Sequence, residues 1–261
     1  MTSAALALRR LPRPGADPDA RPSLARLTGV ELRKMADTRA GFWLLAAIGL
    51  GTVAAAVLMA ALAEPAHQTL RGMLEVVVLP TAILLPVAGV LLVTAEWGQR
   101  TALATFALVP VRGRVLAAKA AAASLASVAA AALCLAAAAA GTAAAAPGVE
   151  GAWSLPAAQV GQLALYAVTG TLVGVGFGAV LLASAPAIVA LFAVPITWGV
   201  VSAVAGIEDV ARWADVDRGL APLLEGPMSA VEWARAGTTL LVWMALPLAA
   251  GAWRISRAEI R

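Results

Sequence analysis

The sequence predicts an all-α, polytopic membrane protein with six transmembrane helices, and three observations lead there. The chain of 261 residues is 61% hydrophobic and 13% charged, with a mean hydropathy of +0.87, so a soluble fold would lack the polar surface to cover itself. About twenty apolar residues run without a charge from Phe42 to Ala63, enough for a helix rising about 1.5 Å per residue to cross a hydrocarbon core of roughly 30 Å. That pattern recurs five more times. The runs are continuous and rich in Ala and Leu, whereas the strands of a membrane barrel alternate apolar and polar residues.

Residues 1–22 carry Arg, Pro, Gly and Asp where a secretory signal would have an apolar core, and are expected to form a disordered cytoplasmic lead. Segment 23–41 opens SLARLTGVELRKMADTR and reads as an amphipathic helix. Leu24, Leu27, Leu32 and Met35 fall on one face, and Arg26, Arg33 and Asp37 on the other. The spans are expected at about 42–63, 75–95, 118–146, 159–183, 187–206 and 237–253, within a membrane domain covering 42–261. Gly170, Gly174 and Gly178 recur at four-residue spacing in the fourth span and favour close packing within the chain. Pro80, Pro86, Pro195 and Pro247 should bend their spans.

The basic residues give the orientation. The N-terminal lead, the loop 96–118 and the tail hold most of them, whereas only Arg71, Arg212, Arg218 and Arg235 lie on the opposite side. By the positive-inside rule both termini belong in the cytoplasm of a multi-pass cell-membrane protein. Nine acidic residues, among them Glu64, Glu150 and Asp217, fall outside. The basic pI of 10.2 thus reflects cations beside anionic head groups of the lipid bilayer, and no nucleic-acid partner is expected.

Enzymatic chemistry finds little support. His67 is the only histidine and Cys134 the only cysteine, one expected in an outer loop and the other inside the third span. No metal-ligand pattern, nucleophile–base pair or phosphate-gripping G-x-x-x-x-G-K-[ST] loop occurs, so the chain is read as a non-enzyme with no cofactor of its own. The spans also lack deep ionisable groups of the kind that couple carriers to protons or sodium.

Between the second and third spans the chain reads TAEWGQRTALATFALVPVRGRVLAAKA, from Thr94 to Ala120. Residues 98–109 can form a short helix with Leu103, Phe106 and Val109 along one side, ended by Pro110. Such a helix either meets a partner groove in the cytosol or lies on the inner leaflet with Arg112 and Arg114 at lipid phosphates.

The order Glu96, Arg100-Thr101, Pro110, Arg112 or Arg114, and Lys119 resembles the second cytoplasmic segment of type-2 ABC transporter permeases, especially actinobacterial export permeases. The resemblance extends over nearly the whole chain beyond residue 23, with Arg100-Thr101 standing where many members have Gly-Thr. It implies that segment 23–41 is a connecting helix and that 96–118 holds a coupling helix. Segment 207–236 would fold as short extracellular helices over the exit. It further implies an ABC ATPase partner carrying ATP and Mg, and a second permease subunit, identical or related. Glu96, Arg100, Thr101, Leu103, Phe106, Arg112 and Arg114 would couple to the ATPase, with Glu96 pairing with one of the three arginines. Thr197, Trp198 and Ser202 would face the pathway, and the cargo of the exporter would be amphiphilic or lipid-like. A stand-alone membrane scaffold or immunity protein, needing no ATPase, is the alternative.

Overall fold

A computed structural model of the protein describes residues 22–258, and no strand occurs among them. The expected lead is left almost entirely outside the described residues. Six helices are long and apolar enough to cross a membrane: Arg39–Leu62, Leu70–Gly98, Arg112–Ala145, Ala157–Leu181, Ser184–Val204 and Ala230–Arg257. The protein is an all-α polytopic membrane protein.

Helix α1 (Leu24–Asp37) starts under a Ser23 cap, whose side chain accepts from the Arg26 N–H, and α2 (Arg39–Leu62) starts under Thr38, which accepts from Gly41. Thr38 is the only residue between them, held extended at ψ 140°, so the chain turns sharply from α1 into the first span. The second span consists of α3 (Leu70–Val77), capped by Thr69, and α4 (Leu79–Gly98), with Pro80 in the first turn of α4, where a missing N–H is tolerated. Then come α5 (Ala102–Leu108), α6 (Arg112–Ala145), α7 (Ala157–Leu181) and α8 (Ser184–Val204). Three short helices follow, α9 (Glu208–Ala211), α10 (Val216–Leu220) and α11 (Pro222–Glu225). The sixth span joins α12 (Ala230–Thr239) to α13 (Leu246–Arg257) through a π-helical turn, Leu240–Ala245, just ahead of Pro247.

Helix ends differ from the hydropathy estimate, and at α12 a cap sets the start. Ser229 and Glu232 form a reciprocal capping box that starts α12 at Ala230, before the apolar stretch begins. Helix α6 begins at Arg112, which places Arg112 and Arg114 on helix where a loop was expected up to 118.

Helix α7 is the centre of the bundle. A Cβ on Gly174 would lie 1.9 Å from the Pro86 carbonyl oxygen of α4, and one on Gly178 would lie 3.0 Å from the Val90 oxygen. On another side of α7, Gly176 abuts Pro247, and Ala179 abuts Gly251 of α13. The glycine stripe therefore packs two spans of one chain, as expected. Hydroxyl pairs join further helices: Thr94 with Ser184 at 2.7 Å and Ser127 with Thr171 at 2.7 Å.

At one end of the bundle the short helices after α8 cover the spans. Gln159 donates to the Leu224 carbonyl at 2.8 Å, Trp243 Nε1 donates to the Ala214 carbonyl at 2.6 Å, and Leu223 is fully buried. At the opposite end both described termini meet, since Arg114 donates to the Pro22 carbonyl at 2.7 Å and Arg112 to those of Ile255 and Ala258 at 2.8 Å each. This terminal end also carries α1 and α5.

Candidate functional site: a buried charge cluster beneath the α5 loop

The terminal end is organised by four charged side chains. Lys119 Nζ, on α6, donates to Glu31 Oε2 at 2.7 Å and to the Leu92 carbonyl at 2.9 Å, and lies 3.1 Å from Glu96 Oε1. An ammonium has three donors, and here each has an acceptor. Lys34 Nζ, on α1, reaches Glu31 Oε1 at 2.7 Å and Glu96 Oε1 at 2.6 Å. Two carboxylates and two ammonium groups thus alternate in a formally neutral quartet.

Glu31 and Lys119 are each 4% exposed and Glu96 is 8% exposed. Charges buried to this degree persist only when paired and hydrogen-bonded. Lys34 is the open member and lies outside the spans. Burial pulls the pKa of its ammonium down, but the hydrogen bonds and charges of Glu31 and Glu96 outweigh that and hold it above the usual lysine value. The stabilisation from a raised lysine is complete below its unfolded value and fades only as pH rises through the folded one, so it is constant across neutral pH.

The quartet fastens α1 across the end of α4 and the start of α6, with Glu31 and Met35 buried one turn apart. The buried line of α1 runs through Thr28, Glu31 and Met35, with Leu27 and Leu32 half-buried and Leu24 exposed, so the expected apolar face turns inward together with Glu31. Glu96 differs from expectation. Its partners are the two lysines and not Arg100, Arg112 or Arg114. Arg112 and Arg114 are engaged by backbone carbonyls, and Arg100 is exposed in the loop.

Between α4 and α5 the chain closes on the Glu96 carbonyl, which accepts from the Thr101 N–H at 2.9 Å and the Thr101 hydroxyl at 3.4 Å. Arg100 takes φ 57° to make this closure, a left-handed conformation that favours glycine. Arg100→Gly is expected to stabilise the chain by up to about 1 kcal/mol, read as a higher unfolding temperature in detergent. Arg100→Val should lower it.

Helix α5 begins at Ala102, later than residue 98, and it turns a different face inward than expected. Ala102 and Phe106, four residues apart, are buried, and Phe106 is only 9% exposed. Its ring lies 6.2 Å from the Trp97 ring, and the Arg112 guanidinium sits 5.3 Å above it. Leu103 and Leu108 are instead the outward residues, at 59% and 80% exposed, and Val109 is half-buried. Phe106 is therefore an anchor holding α5 to the spans, not part of an open face.

Arg112 links two elements, since the same guanidinium that covers Phe106 holds the last carbonyls of α13. Through Phe106, α5 thus touches Trp97 of α4 and Arg112 of α6, and Arg112 in turn meets the end of α13. Among the described residues, no group of three or more His, Cys, Asp or Glu side chains is placed to hold a metal ion.

The three pathway candidates are not gathered in the same way. Thr197 is exposed, Trp198 is half-buried, and the buried Ser202 hydroxyl donates to the Trp198 carbonyl of its own helix at 2.6 Å. None of them lines the large cleft at the terminal end. Glu31 and Lys34 were missed as site residues, although the sequence held a signal for Lys34 and Lys119. They are the only lysines beside 17 arginines, and both stand in the quartet.

No protein-family model matches the sequence, and no curated protein matches it.

Proposed function

We propose that the chain is the membrane-spanning permease subunit of a type-2 ABC exporter, driven by ATP hydrolysis in a separate subunit that docks at the terminal end. The observation that carries this reading is α5, an apolar helix between the second and third spans whose inner face is anchored by Phe106 and whose outer edge, Leu103 and Leu108, is exposed. A helix held in this way can pass a push from a docked protein into α4, α6 and α13.

Charge supports the same assignment. Arg26, Arg33, Arg39, Arg100, Arg254 and Arg257 cluster at the terminal end, as the cytoplasmic side of a bacterial plasma membrane requires. A second permease subunit completes the pathway, and the cargo is amphiphilic.

The arrangement is tested with a single introduced thiol, because the native Cys134 is buried. In Leu108→Cys, a membrane-impermeant maleimide is expected to label the protein only after the inner face of the membrane is opened. A bifunctional thiol–amine reagent is expected to join it to an ATP-binding subunit. Labelling from the outside of intact cells would place α5 on the wrong side and overturn the reading.

A further inference from the structure

A cleft of about 1290 Å³ opens between α1, the first turns of α2, α4 and α5. It exceeds the roughly 300–1,000 Å³ typical of pockets for drug-sized ligands. We propose that this cleft binds one anionic bilayer lipid, with its acyl chains in the apolar trough and its head group at the basic rim that Arg26 and Arg39 line. The proposal requires only that the chain lies in a membrane, and does not depend on an ATPase partner.

Depth selects a lipid as the occupant. The inner wall is formed by Leu44 and Leu45 of the first span and by Ala88, Leu91 and Leu92 of the second, so the trough descends into the part of the bundle that faces hydrocarbon. A water-soluble ligand would leave those walls uncovered. Val30, Leu108 and Val109 continue the apolar lining to the rim.

Charge selects the head group. Glu31, Lys34 and Glu96 reach the cleft, but with Lys119 they form the neutral quartet and hold one another. Arg26 and Arg39 also line the cleft, are exposed, and have no acidic partner among the described residues. Two uncompensated guanidinium groups along the rim of an apolar trough attract an anionic head group joined to acyl chains. Arg33 lies on the same helix and does not line the cleft, which makes it an internal control.

The test is native mass spectrometry of the delipidated full-length chain, titrated with phosphatidylglycerol or with phosphatidylcholine of identical acyl chains. One phosphatidylglycerol is expected to stay bound under activation that strips phosphatidylcholine. Arg26→Ala and Arg39→Ala should each weaken its retention about fivefold, and Arg33→Ala should leave it unchanged. Equal retention of the two lipids, or equal losses in all three variants, overturns the proposal by reducing binding to general lipid adhesion. Displacement by inorganic phosphate also overturns it, because the site would then recognise the free anion and not the lipid.

Discussion

Lys119→Ala is expected to cost about 3–5 kcal/mol, the range for removing one partner from a buried ion pair. The substitution leaves Glu31 and Glu96 buried together with Lys34 alone, whose side chain is 37% exposed and is shared between them. Two carboxylates facing one cation repel each other, and the Leu92 carbonyl loses its donor. The measurement is denaturant or thermal unfolding of the full chain in mild detergent. Adding Glu31→Gln to Lys119→Ala removes one negative charge as well and should return part of the loss, giving a coupling of roughly 0.5–3 kcal/mol. A loss below about 1 kcal/mol with no coupling would show that the quartet does not hold α1 in place.

Gly174→Ala is expected to destabilise the bundle by roughly 3 kcal/mol, at the upper end for overpacking. The added methyl would fall 1.9 Å from the Pro86 carbonyl oxygen, a backbone atom that cannot rotate away. Only separating α4 from α7 makes room, and α7 also holds α13 through Gly176. Gly170→Ala, one turn earlier, provides the comparison, since its nearest neighbour is the Pro86 Cγ at an ordinary 3.5 Å. It should be neutral or slightly stabilising, as Ala suits a helix better than Gly. If the two variants unfold alike, the close α4–α7 approach is not what the glycine stripe serves.

The spans were legible because length and apolarity alone define them, and the glycine stripe because four-residue spacing marks one helix face. The quartet was not. An acidic residue among leucines, such as Glu31, reads as the polar edge of an amphipathic helix until α6 is known to lie against it. Phe106 shows the same limit. Spacing put it in line with Leu103, but periodicity does not say which side of a seven-residue helix faces the bundle, and Trp97 and Arg112 decide that. The left-handed backbone of Arg100 was not legible either, because an arginine gives no local signal for a positive φ.

The central claim, that α5 receives an ATPase, is tested most directly by purifying the tagged chain from its native host in mild detergent and measuring both co-purifying protein and ATP hydrolysis. Wild type is expected to bring down a stoichiometric ATP-binding subunit with ATPase activity. Leu103→Asp and Leu108→Asp, which place charge on the exposed edge of α5, should lose both while the permease chain stays folded and in the membrane. A folded wild-type chain that yields no ATP-binding subunit even after gentle crosslinking, or one that keeps it undiminished in both variants, would contradict the account.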